Sequence, residues 1–200
     1  MRFKTLPVAF AAAVAVGAML AGTFLPAQDR CPRPWMFFDL GNTLVDTKTY
    51  DFKKILYMPK AYDYLRELRG KGYPLGLLVN IPESWGTSRA EKVARLKAEV
   101  SGPTIWIDHN PMVWEFFTRT VTDDLILIPM KDNERKPGSP KLFDDAHALG
   151  STESCPAVFQ GEDPAEVSAA KARGMKGYLI GQDSDIYLPE SKIAAFVNTH

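Results

Sequence analysis

Trp35-Met36-Phe37-Phe38-Asp39-Leu40-Gly41-Asn42-Thr43 is the stretch on which the fold turns. Four consecutive apolar side chains that stop at a carboxylate describe a short strand covered on both faces and ending at a sheet edge. Gly41-Asn42-Thr43 reads as the turn that follows it. The same device recurs along the chain. Residues 74–79 are apolar and end at Asn80, residues 125–128 form a third run, and residues 157–160 lead into Gly161-Glu162. A last run covers residues 177–180.

Between these runs the spacing changes from continuous to helical. Pro59 suits the first turn of a helix, where its missing N–H would be unpaired anyway. Tyr62, Leu65 and Leu68 then recur at helical spacing, and Gly70 and Gly72 close the segment. Residues 84–100 read as a second helix with Val93, Leu96 and Val100 inward. Its charges (Arg89, Glu91, Lys92, Arg95 and Lys97) are expected on a solvated face. Ile105-Trp106-Ile107 suggests a short strand, and residues 112–118 an aromatic helical turn. Lys136-Pro137 is expected to open a helix that buries Leu142, Phe143 and Ala146 and stops at Gly150. Residues 165–173 and 193–197 complete the helices. Alternating strands and helices with apolar strands predict an α/β fold whose parallel sheet is covered on both faces. In such sheets ligands sit beyond the carboxyl ends of the strands, where Asp39, Asn80 and Glu162 fall.

The chain has 200 residues, 46% hydrophobic and 24% charged, with a formal net charge of zero. That suits one globular domain and gives no basic stripe, so no nucleic-acid partner is expected. The three histidines are far apart in sequence, which argues against a histidine-built zinc site. At the N-terminus Arg2 and Lys4 precede an uncharged run to Gln28 whose centre is mostly Ala, Val, Leu, Met and Gly. Residues 1–27 therefore read as a secretory signal, with cleavage near Ala27 or Thr23. The run is also about as long as the roughly 20 residues that span a bilayer, so an uncleaved membrane anchor is the alternative. Residues 28–34 read as a linker and residues 35–200 as the domain. Cys31 and Cys155 are the two cysteines, a count that permits a disulfide in an exported protein.

At Asp39-Leu40-Gly41-Asn42-Thr43 the chain resembles motif I of the haloacid dehalogenase (HAD) superfamily, a strand feeding Asp-x-Asp-Gly-Thr. Further motifs follow in the family's order. Asn80 lies in the motif II region, and Arg135-Lys136-Pro137 is similar to the motif III helix start. Gly161-Glu162-Asp163-Pro164-Ala165-Glu166 resembles motif IV, usually Gly-Asp-x-x-x-Asp. The resemblance implies a three-layer, Rossmann-like HAD fold with a central parallel sheet. About 20 residues separate Asp39 from Pro59, too few for a large helical cap.

What the resemblance implies for chemistry is a magnesium-dependent phosphatase acting on small phosphomonoesters. Asp39 would be the nucleophile, forming an aspartyl-phosphate that splits one hard displacement into two easier ones. Magnesium would be held by Asp39, the Gly41 carbonyl and Glu162, with Glu166 orienting a metal-bound water. Lys136 would hold the phosphate and the nucleophile, and Thr43 and Asn80 would help to bind phosphate. In the family fold the motif I and motif IV strands are adjacent and parallel, which implies a Cys31–Cys155 disulfide at the sheet end opposite the site.

Three positions depart from the family pattern. Gly41 replaces the aspartate that protonates the leaving group, help that typically contributes roughly 10²–10⁴-fold in rate. Val79 stands where motif II has a hydroxyl. Glu162 replaces an aspartate, with Asp163 beside it as another possible donor. These departures leave a second reading open: a catalytically impaired HAD-fold protein that binds a phosphorylated ligand or a protein partner.

Overall fold

The computed structural model describes residues 31, 33–47, 56–101, 112–118, 122–152, 154–182 and 184–199, with Leu56 and Ser101 described in their backbone alone. The N-terminal segment and the strand expected at Ile105-Trp106-Ile107 lie outside the described residues.

Five strands form one parallel sheet: β1 (Met36–Phe38), β4 (Leu75–Leu78), β5 (Ile126–Leu127), β6 (Val158–Gly161) and β7 (Lys176–Leu179). Their order is β5-β4-β1-β6-β7, so β1 is central and adjacent, as expected, to the motif IV strand β6. Met36 pairs with Leu75 on one side and Val158 on the other. A second, two-stranded sheet joins β2 (Val45–Asp46) antiparallel to β3 (Leu56–Tyr57). Among the described residues this hairpin is the regular structure found between Asp39 and the first helix.

The continuous apolarity of β1 has the expected physical cause. Met36 and Phe38 enter one core cluster and Phe37 the other, and all three are fully buried. The first cluster takes Leu65 and Leu68 from α1 (Ala61–Gly70), Val93 and Leu96 from α2 (Arg89–Ser101), and Ile193 and Val197 from α5 (Glu190–Asn198). The second takes Leu142, Phe143 and Ala146 from α3 (Lys141–Gly150), and Val167 and Ala170 from α4 (Pro164–Ala172). The result is the three-layer α/β architecture that the strand pattern predicted. Each buried Leu, Phe or Met stabilises it by about 1.5–3 kcal/mol. Gly76 in β4 makes one close approach possible, because a Cβ there would lie 2.5 Å from the Phe37 ring.

Cys31 and Cys155 form a disulfide with Cα atoms 4.9 Å apart. They precede the amino ends of β1 and β6 and so tie the sheet together at the edge away from Asp39.

Three helix expectations are corrected. The second helix starts at Arg89, after a short 3₁₀ turn at Glu83–Trp85. Ser88 and Glu91 set that start as a capping box: the Glu91 N–H donates to Ser88 Oγ (3.2 Å), and the Ser88 N–H donates to Glu91 Oε2 (3.3 Å). Lys92 is not on the solvated face. It is 1% exposed, and its Nζ donates to the carbonyls of Pro82, Pro129 and Met130 at 3.1–3.3 Å. The third helix opens at Lys141 rather than at Lys136-Pro137. Both backbone polar groups of Lys136 are taken by the Asn80 side chain, which removes that residue from any helical turn.

Candidate active site

Asp39 follows β1 directly, and its N–H donates to the Gln160 carbonyl (3.0 Å), which extends the pairing with β6 by one residue. Its carboxylate therefore stands at the carboxyl edge of the sheet, where parallel sheets place ligands. The turn beyond it is tight. Leu44 and Val45 N–H groups both donate to the Leu40 carbonyl, and Asn42 adopts φ 52°, a left-handed conformation that Asn tolerates.

Lys136 lies against this carboxylate. Its side chain is 0% exposed, and its Nζ donates both to Asp39 Oδ1 and to Glu166 Oε2, the latter at 2.5 Å. The ammonium also sits 5.6 Å from the Phe159 ring centroid. Asn80 fixes where Lys136 is: its Nδ2 donates to the Lys136 carbonyl (2.6 Å) and its Oδ1 accepts the Lys136 N–H (3.0 Å). Asn80 also lines the cleft beside Asp39, so its amide keeps one N–H to offer a ligand.

Thr43 takes a different place from the one expected. It is fully buried, away from the cleft lining, and its hydroxyl bridges the two motifs. Thr43 Oγ1 donates to Asp39 Oδ2 (3.3 Å) and accepts the Glu162 N–H (3.2 Å). Thr43 thus links Asp39 to the Glu162 backbone. Its carbonyl is held in turn by the Tyr187 hydroxyl at 2.6 Å.

Glu162 begins the motif IV turn and lines the cleft with Asp39 and Gly41. Its Oε1 accepts from Asn42 Nδ2 at 3.3 Å. Asp163 is unsuited to replace it, because its side chain caps α4 by accepting the Ala165 N–H (2.8 Å). Glu166 stands behind Lys136, away from the cleft lining. Burial pushes its carboxyl above the ordinary 4.5; Lys136 pulls it down in part, and Asp39 adds to the rise.

The cleft has a volume of about 400 Å³. Asp39, Gly41, Asn42, Asn80 and Glu162 form its polar end, and none of its lining residues is a lysine or arginine. Among the described residues the cation near Asp39, Glu162 and Glu166 is Lys136, so these described groups carry excess negative charge. Among the described residues no three His, Cys, Asp or Glu side chains converge as a ready-made metal cage. The donors that share its polar end are the Asp39 and Glu162 carboxylates and the Gly41 backbone, all of the oxygen type that a hard divalent cation takes alongside several waters. That donor set fits a magnesium ion at Asp39, Gly41 and Glu162, while the Glu166 carboxylate meets Lys136 in this structure.

Asn42 joins the turn to Glu162 and, through Oδ1, to Thr47 N–H and Oγ1 at 3.1 and 2.9 Å. It was missed as a site residue, although an Asn in a Gly-Asn turn is a known signal for left-handed backbone. Trp85, Leu96, Glu99 and Val100, which close the far end of the cleft, carried no such signal.

No family model matches the chain, and no curated protein matches it in sequence. Solved structures do resemble it. One, from Mesorhizobium loti, is provisionally assigned as a HAD-like phosphatase; it is 15% identical with a TM-score of 0.47, over 82% of this chain and 84% of that one. An uncharacterised protein from Listeria monocytogenes serotype 4b is 16% identical with a TM-score of 0.43, over 81% and 95% of the two chains. A chain of an RNA repair complex is 13% identical with a TM-score of 0.41; the match covers 74% of this chain and 42% of that one. The present chain is a parallel three-layer α/β domain with Asp39, Asn80, Lys136 and Glu162 at the carboxyl edge of its sheet.

Proposed function

We propose that the protein is a magnesium-dependent phosphatase that hydrolyses small phosphomonoesters through an aspartyl-phosphate on Asp39. The observation that carries this reading is the Lys136 ammonium, fully buried between Asp39 and Glu166 at the edge of the cleft. A buried ion-paired cluster beside a cleft, with the Glu166 carboxyl pushed up by burial, is a functional-site candidate. Lys136 keeps Asp39 oriented for attack on phosphorus. Thr43 restrains the other Asp39 oxygen, and the free Asn80 N–H is placed to hold a phosphoryl oxygen. Bound by Asp39, Glu162 and the Gly41 carbonyl, magnesium supplies the positive charge that lets a carboxylate meet a phosphate dianion.

A screen of phosphomonoesters with magnesium, run beside Asp39→Asn, tests this. Turnover by the native protein and none by the variant is expected, whereas equal turnover removes Asp39 as nucleophile. Gly41 and Val79 favour the second reading, a binding protein for a phosphorylated ligand or a protein partner. That reading gains if neither protein turns over any ester and both still bind phosphate.

The same reading places the protein outside the cytoplasm, with residues 1–27 as a signal or an uncleaved anchor and residues 35–200 as the working domain. The Cys31–Cys155 bond supports an oxidising compartment. Among the described residues no helix is long and apolar enough to cross a membrane. Two free thiols in the exported protein, found by mass measurement without reductant, would count against this placement.

A further inference from the structure

Two separate features of the cleft bear on which phosphomonoester it takes. The first is its far wall. Away from Asp39 the cleft is bounded by Ile81, Trp85, Leu96 and Val100, with Glu99 the one charged side chain among them; the apolar ones otherwise pack with the core. Trp85 is half-buried, and the Arg95 guanidinium carbon lies 5.3 Å from its ring centroid, which steadies the indole. A hydroxyl-rich leaving group would lose its water against this wall and find few partners there. A flat apolar ring loses nothing comparable.

The second feature is Gly41. A Cβ at this position would meet Thr47 Oγ1 at 3.4 Å and Thr47 Cγ2 at 3.6 Å, which is ordinary contact. The turn has room for a side chain and carries none, so no acid at this position hands a proton to the departing oxygen. Among the other cleft acids, Glu162 is joined to Asn42, and Glu99 faces Arg95 at 3.6 Å with its side chain 45% exposed. Among the described residues of the cleft none is placed as a general acid, so the leaving group departs on its own acidity. A phenol, with a pKa of about 10, does so far more readily than an alkyl alcohol.

We propose that the cleft selects aryl phosphomonoesters, an inference that rests on the phosphatase reading above. An Asp39 oxygen bonds to phosphorus as the P–O(aryl) bond breaks. The electron pair leaves on the aryl oxygen, which takes its proton from solvent. Water then bonds to phosphorus, the Asp39–phosphorus bond breaks, and the proton lost by water returns to solvent. Monoester and water give phenol and phosphate.

The experiment compares phenyl phosphate, para-nitrophenyl phosphate and glycerol phosphate on the full-length protein with magnesium, and follows their binding to Asp39→Asn by calorimetry. A kcat/KM for phenyl phosphate roughly 100-fold or more above glycerol phosphate is expected, the lower end of what an absent general acid withholds. Para-nitrophenyl phosphate should turn over faster still, and Gly41→Asp should narrow both gaps. Trp85→Ala should raise KM for phenyl phosphate roughly 10-fold, more than for glycerol phosphate, and the calorimetric affinities should follow the same order. Equal kcat/KM for phenyl and glycerol phosphate, or a rate indifferent to the leaving group, overturns the inference and leaves the phosphatase reading standing. Failure of the native protein to turn over any of the three, with no binding of them or of inorganic phosphate to Asp39→Asn, overturns both.

Discussion

Replacing Lys136 by Met removes one charge and little volume from the most enclosed part of the site. The Lys136 side chain is 0% exposed, and its partners Asp39 and Glu166 are 16% and 10% exposed, so water screens neither contact well. Removing one partner of a buried ion pair typically costs about 3–5 kcal/mol, because the other is left charged and unpaired. Here two carboxylates lose the same partner, so the upper half of that range is expected at neutral pH. The sign of the pH dependence follows from Glu166. Burial and Asp39 both raise its carboxyl above the ordinary 4.5, and Lys136 is the group that lowers it. Without Lys136 the folded state holds the Glu166 proton more tightly than the unfolded chain does. That contribution is full below the unfolded value and is lost as pH rises through the folded one. The cost of Lys136→Met should therefore be least near pH 4.5 and grow toward about pH 7. Urea unfolding of both proteins across that range measures it. Adding Glu166→Gln should recover about 1–3 kcal/mol at neutral pH, since one orphaned carboxylate is gone. A cost below about 1 kcal/mol, the value of an exposed pair, or one that is the same at both ends of the range, would refute the reasoning.

Further consequences can be checked in the same way. Replacing Cys31 and Cys155 together by Ser opens a loop with a sequence separation of 124 and should lower stability by about 2–5 kcal/mol; an unchanged urea midpoint would contradict this. Lys92→Met strands the carbonyls of Pro129 and Met130, while that of Pro82 keeps the Trp85 N–H, and should cost on the order of 2 kcal/mol; a melting temperature equal to that of the native protein would show these contacts to be idle. Thr43→Val leaves the Glu162 N–H without its acceptor and Asp39 Oδ2 without a donor, at about 1–3 kcal/mol, while Thr43→Ser should retain most of the stability.

The parts of this molecule that local pattern controls were legible in the sequence. A strand buried on both faces cannot hide its apolar run, so β1, β4 and β6 and the polar residues that end them could be read directly. The hairpin of β2 and β3 could not, because two-residue strands are too short to show an alternation. Long-range contacts decided the remaining differences. Lys92 looks like any cation on an amphipathic helix, and nothing in its neighbours reveals three loop carbonyls pointing at it. Pro137 carries a sound helix-start signal, but Asn80, 56 residues away, claims the Lys136 backbone first. Thr43 suited phosphate by residue type; the register of β6 set the Glu162 N–H above its hydroxyl instead.

The buried triad also separates a working site from a relic. Taking charges out of water is expensive, and replacing a buried ion pair or triad with apolar residues of similar volume is often neutral or stabilising, by about 1–4 kcal/mol. Asp39, Lys136 and Glu166 are such a group, placed beside Phe159 and held from three sides by Asn80, Thr43 and the start of α4. If they served the fold alone, an apolar triple variant should be markedly less stable, because the surrounding polar groups would lose their partners. If they serve chemistry, Asp39→Leu, Lys136→Met and Glu166→Leu together should leave the domain folded with a urea midpoint at or above that of the native protein, and abolish turnover. The polar groups at risk in the first case are few: the Thr43 hydroxyl keeps the Glu162 N–H, and Asn80 binds the Lys136 backbone, which the substitution does not touch. The structure thus leaves little for the triad to stabilise beyond itself, and a stable, inactive triple variant is the expected result.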